Sequence, residues 1–96
     1  MFYVYILESL QSGRFYIGYS HDPIRRLEDH NSGKVISTRN FRPWVKVYSE
    51  VFQTETEAIH REIQIKKMKS RHYVSQLIQK EKSSGISQAR PDPNQI

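Results

Sequence analysis

The chain has 96 residues, no cysteine and a hydrophobic fraction of 36%, which bounds it to one small domain with a modest core and excludes disulfides and thiolate metal sites. Its 15 Lys and Arg against 10 Asp and Glu leave a net charge of +5, a balance that suits an anionic partner such as nucleic acid and arises equally from simple solubility. The N-terminus shows no basic segment followed by a long apolar run, so neither a signal peptide nor a membrane span is expected, and a soluble cytoplasmic protein is the default.

Residues 2–7 alternate Phe2, Val4 and Ile6 against Tyr3, Tyr5 and Leu7, so the spacing predicts a strand that is apolar, and covered, on both faces. The stretch Ser9-Leu10-Gln11-Ser12-Gly13-Arg14 carries turn chemistry. Phe15 to Tyr19 reads as the hairpin partner, with Phe15, Ile17 and Tyr19 opposite Tyr16 and Gly18. Asp22 is a good N-cap and Pro23 suits the first helical position, which predicts a helix to about Asn31 closed by Gly33. Residues 34–43 contain Lys34, Arg39 and Arg42 and no acid, and read as a basic loop. Trp44 to Phe52 returns to strand character, with Trp44, Lys46 and Tyr48 alternating against Val45, Val47 and Ser49. Thr54 and Glu57 form a capping box ahead of a helix to about Met68. Ser70 can cap a last helix whose apolar stripe is Tyr73, Val74, Leu77 and Ile78. From Ser83 onward no apolar period remains, so residues 1–82 are read as the domain and 83–96 as a disordered tail. The order β-β-α-β-α-α predicts an α+β domain, a small three-stranded, mainly antiparallel sheet flanked by three helices.

Asp22, Arg26 and His30 recur at i, i+4 and i+8 and share one helix face. A solvated charge ladder accounts for such a row, but beside two hairpin tyrosines Arg26 could reach a phosphate with its fixed fork of donors. Ile24 and Leu27 are expected to face the core and Arg25 the solvent. Glu62 falls inside the arc defined by Ala58, Ile59, Ile63 and Ile65 rather than opposite it. Two readings stay open for it: an ion pair with Lys66 at i+4, or a ligand for a hard divalent ion such as Mg²⁺. Tyr19, Tyr48 and Tyr73 read as packing residues, whereas a catalytic phenol needs a cation or a metal-bound water beside it. His21, His60 and His72 are assigned to the surface. Neither a phosphate-cradling P-loop nor a Ser-His triad is visible.

Taken together these residues resemble the GIY-YIG nuclease family, found in phage homing endonucleases and in a DNA-repair nuclease. Tyr3-Val4-Tyr5 matches the first motif, with Tyr-Val in place of Gly-Ile, and Tyr16-Ile17-Gly18 matches the second. Arg26 matches the helix arginine, His30 the histidine or tyrosine one turn later, and Glu62 the metal-binding glutamate. The likeness is closest to small stand-alone bacterial members, which share Arg25-Arg26-Leu27 and His30-Asn31-Ser32-Gly33, and it covers roughly residues 1–80. The asparagine that some members carry beyond the glutamate is not matched, and no further DNA-binding domain is expected.

The resemblance implies a divalent-metal-dependent endonuclease acting on nucleic acid, DNA before RNA, in repair, recombination or processing. Its catalytic set is Tyr5, Tyr16, Arg26, His30 and Glu62, with Glu62 holding Mg²⁺ or Mn²⁺. Phosphate contacts are expected from Lys34, Arg39, Arg42, Lys46, Lys66, Lys67, Lys69 and Arg71. Phe41 and Trp44 border the basic loop; base stacking is one role for them, and core packing is the expected fate of Trp44. Two alternatives stand beside the nuclease: a binding module of the same fold that does not cut, and an adaptor whose tail or basic surface docks a protein partner supplying target recognition.

Overall fold

In the computed structural model, which describes residues 1–89 and the side chains of residues 1–81, the hairpin forms as its turn residues dictate. Strand β1 (Phe2–Ser9) pairs antiparallel with β2 (Phe15–Ser20), setting Tyr5 opposite Gly18 and Leu7 opposite Tyr16. Ser9 organises the turn: its hydroxyl accepts the amides of Gln11 (3.1 Å) and Ser12 (2.9 Å) and donates to the Phe41 carbonyl at 2.6 Å. Gly13 supplies the left-handed residue at φ 77, which costs glycine nothing. Helix α1 (Pro23–Ser32) starts at Asp22, whose carboxylate accepts the Arg25 amide, and stops at Gly33 with φ 88. A 3₁₀ turn (Arg39–Phe41) occupies the basic loop before β3 (Trp44–Phe52). Helix α2 (Glu55–Met68) opens on the Thr54–Glu57 capping box, and α3 (Arg71–Ala89) follows. Ser70 accepts the Tyr73 amide at 3.1 Å, as a cap should.

The described residues therefore form the expected α+β domain, with the antiparallel sheet in the order β2-β1-β3. β1 is central and covered on both sides. On one face Val4 and Ile6 pack with Ala58, Ile65 and Val74 from α2 and α3; on the other Tyr5 and Leu7 pack with Trp44, Tyr16, Leu27 and Phe41. Each aliphatic residue fully buried here contributes about 1.5–3 kcal/mol.

Four expectations need correction or extension. The alternation along β3 breaks at a bulge: Ile6 pairs with Tyr48 and Leu7 with Lys46, leaving Val47 without a partner. Val47 and Tyr48 therefore both pack toward α2 and α3, while Trp44 stays on the tyrosine face. Ile24 does not face the core; it is 70% exposed, because α1 turns its Arg26–His30 row, not its most apolar residue, toward the sheet. Ile63 is likewise half-exposed, since the inward stripe of α2 runs through Ala58 and Ile65. Helix α3 extends the last expected helix to Ala89; residues 90–96 lie outside the described residues.

Candidate active site

The hairpin register carries the site. Tyr5 on β1 and Tyr16 on β2 project from the same face, their ring centroids 6.4 Å apart. Gly18, opposite Tyr5, makes room for them: a Cβ there would lie 2.7 Å from the Tyr5 hydroxyl oxygen and 3.1 Å from Tyr16 Cε2. The final glycine of the second motif is thus the space that the Tyr5 ring crosses. Helix α1 lays Arg26 and His30 on this face. Tyr5 Oη is 3.3 Å from His30 Nε2, and the Tyr16 and His30 rings meet edge-on at 4.7 Å.

His30 is completely buried. Its Nδ1 lies 2.8 Å from the Thr38 hydroxyl. Trp44, buried as expected, closes the floor: its indole donates to the Thr38 carbonyl at 2.9 Å, and its backbone is clamped by both ends of the Asn31 amide. Arg26 stays half-exposed and pairs with Asp29 at 3.4 Å. It borders an open pocket of about 210 Å³ lined by Ser20, His21, Asp22, Arg25 and Asp29.

Burial and charge set the protonation states. Burial raises the Tyr5 hydroxyl above the ordinary phenol range; the facing Arg26 guanidinium pulls it back, and the negative charge available to Tyr16 and Glu62 pushes it further up. His30 is pushed down to about 4, first by burial and then by the Arg26 charge, against a smaller opposing pull from Asp29. Burial also lowers Arg26, but Tyr5, Tyr16 and Asp29 outweigh it, and the guanidinium is held above its usual value. At neutral pH the cluster is a neutral phenol, a neutral imidazole and a fixed cation.

Glu62 approaches from the other side of the sheet, on the α2 stripe with Ala58 and Ile65. Its side chain is only 16% exposed and pairs with Lys66 at 3.3 Å. Among the described residues no hydrogen bond or ion pair joins it to the tyrosines, Arg26 or His30; its field reaches Tyr5 and Tyr19. Among the described residues no three His, Asp or Glu side chains converge as a metal cluster. A single sheltered carboxylate fits Mg²⁺ or Mn²⁺, which keep most of their water and take one or two carboxylates plus substrate phosphate. It does not fit a closed zinc site.

The basic residues divide between two regions. Arg39 and Arg42 line a pocket of about 490 Å³ beside the 3₁₀ turn, with Lys34 nearby on Asp29 at 3.8 Å. Lys66, Lys69 and Arg71 line a groove of about 340 Å³ at the α2–α3 junction, where Arg71 stacks on Phe15 at 4.4 Å. Lys46 and Lys67 are exposed on β3 and α2. Sequence reasoning missed Thr38 and Asn31, which lie in or beside loops and find their partners only through the fold. It also missed the ion pair of Arg61 with Glu50, at 2.8 Å, which holds Tyr48 and Tyr73. The one available signal for that pair was a lone glutamate in a strand otherwise without acids.

The hairpin thus presents two phenols to a helix arginine and a buried histidine. The family model described as the GIY-YIG catalytic domain matches residues 1–83, and the chain belongs to that family. Membership implies nuclease-type chemistry on nucleic acid. A UPF0213 protein of Enterococcus faecalis is 41% identical over 69 residues, spanning 69% of this chain and 77% of that protein. A UPF0213 protein of Streptococcus pneumoniae is 41% identical over 68 residues, spanning 70% and 68%. The solution NMR structure of a UPF0213 protein of Bacillus halodurans matches with a TM-score of 0.53 and 38% identity, over 82% of this chain and 84% of that one. Among the described residues no helix is long and apolar enough to cross a membrane.

Proposed function

We propose that this protein is a divalent-metal-dependent endonuclease that hydrolyses phosphodiester bonds in DNA. The observation that carries the reading is the Tyr5–His30 contact at 3.3 Å, with Tyr16 and Arg26 on the same face. Tyr5 takes the proton of the attacking water as its own proton passes to Nε2 of His30; His30 can accept because burial keeps it neutral. Tyr16 orients the water or a phosphate oxygen. Arg26 offsets the charge that develops on the phosphoryl group. Glu62 would hold the metal, which supplies Lewis-acid polarisation of the phosphate and stabilisation of the leaving oxygen. The products are 5′-phosphate and 3′-hydroxyl ends. The basic residues of both regions hold the backbone without selecting sequence, and repair, recombination or processing of DNA is the corresponding role.

A non-cleaving binding module of the same fold is the second reading, favoured by the Glu62–Lys66 pair, which must open before a cation is seated. One assay separates them: the purified protein is incubated with Mg²⁺ or Mn²⁺ and labelled single-stranded, duplex, flapped and junction DNA and RNA. The nuclease reading expects metal-dependent cleavage, lost in matched Glu62→Ala and Arg26→Ala preparations that keep the wild-type circular dichroism. Salt-sensitive binding that ignores chelator and leaves no cut product establishes the binder instead.

A further inference from the structure

We infer that Thr38 is a positioning residue that holds His30 in the Nδ1-protonated tautomer, leaving Nε2 as the acceptor facing Tyr5; its catalytic meaning rests on the nuclease reading. Thr38 occupies the N-cap position of the 3₁₀ turn yet makes no side-chain cap bond, although threonine there ordinarily accepts a backbone amide. Its hydroxyl is spent on His30 instead, at 2.8 Å, with only 2% of the residue exposed. The backbone cannot drift: the Thr38 amide donates to Val35, and its carbonyl accepts both the Phe41 amide and the Trp44 indole.

Counting hydrogens gives the tautomer. The Val35 carbonyl, at 3.4 Å, offers the Thr38 hydroxyl hydrogen an acceptor, which leaves the hydroxyl oxygen free to accept from His30 Nδ1–H. Tyr5 faces Arg26, which carries donors only. The Tyr5 proton therefore needs Nε2, at 3.3 Å, as its acceptor within the protein. The opposite tautomer would aim Nε2–H at the Tyr5 oxygen and leave the phenol hydrogen without a partner, a buried polar group unsatisfied. The charged and titratable groups around the ring are Arg26 and Asp29 of α1, Tyr5 of β1 and Tyr16 of β2. None of these supplies an acceptor at Nδ1.

Long-range ¹H–¹⁵N NMR of the His30 ring in the intact protein at neutral pH reads the tautomer with neither metal nor substrate. The expected result is Nδ1–H in the wild type, a shift toward Nε2–H in Thr38→Val, and restoration in Thr38→Ser. In the cleavage assay Thr38→Val should lower kcat about tenfold or more with KM little changed, move the pH profile, and be rescued by Thr38→Ser. A wild-type Nε2–H tautomer overturns the assignment, and so does Thr38→Val retaining Nδ1–H. The wild-type measurement decides even if the valine variant does not fold. A protein that cuts none of the substrates but shows the Thr38-dependent tautomer supports the assignment and rejects the nuclease reading.

Discussion

Gly18 shows how much one missing methyl decides. The Tyr5 ring crosses the space where a Cβ would stand, and because that ring is buried and tied to His30 it cannot swing aside cheaply. Gly18→Ala is expected to lower stability by about 1–3 kcal/mol and to reduce cleavage at least tenfold; an unchanged Tm with unchanged cleavage refutes the close-approach account. His30 gives a pH signature. The folded protein keeps it neutral down to about 4, whereas the unfolded chain binds a proton near the ordinary imidazole value of 6.5. The unfolded state thus takes up the proton first as pH falls, so a contribution of roughly 3 kcal/mol, complete above about pH 6.5, is lost on the way down through 4. Thermal melts from pH 7.5 to 4 should show this slope, and His30→Gln should flatten it. An unaltered slope in that variant assigns the acid sensitivity to other groups.

At the scale of elements, α2 is joined to β3 through charge as well as apolar packing. Arg61 grips Glu50 with two nitrogens, at 2.8 and 2.9 Å, while Tyr48 donates to the same carboxylate and Arg61 reaches Tyr73 of α3. Burial pushes the Glu50 carboxyl up, but the bonds from Arg61 and Tyr48 outweigh it and hold the group below the usual carboxylate range. Arg61→Ala strands that carboxylate in a half-buried place and is expected to cost about 2 kcal/mol, read from urea unfolding, with cleavage retained at low temperature. Loss of less than about 0.5 kcal/mol would reduce the network to an ordinary surface pair. The network also explains why the β3 bulge is tolerated: it turns Tyr48 toward Glu50, Arg61 and the α2–α3 layer instead of toward the tyrosines.

For the whole molecule the consequential feature is the spread of cations over two regions, one beside the 3₁₀ turn and one at the α2–α3 junction. If both hold a nucleic-acid backbone, affinity should fall steeply with salt, with a log–log slope of about −4 or steeper on duplex DNA. Replacing Arg39 and Arg42 together by Ala should make that slope shallower by about 2 without changing sequence preference. Fluorescence anisotropy across a salt series measures both, and an unchanged slope in the double variant removes the first region from the interface.

Local pattern in the sequence determined the elements and singled out several residues of the candidate site. The Asp22-Pro23 and Gly33 signals bracketed α1, the capping box began α2 at the right residue, and strand alternation marked β1 and β2 as hairpin partners. Helix geometry also put Arg26 in line with His30 and turned Glu62 inward, because these relations depend only on residues within a few turns of each other. Tertiary structure alone decided that the Arg26–His30 row is the buried face of α1, that Thr38 returns from a loop to meet His30, and that Glu50 is claimed by Arg61. It also decided which side of the sheet Glu62 occupies relative to the phenols. Each of those is a contact between segments distant in the chain, set by register, bulge and packing, and local periodicity carries no record of it.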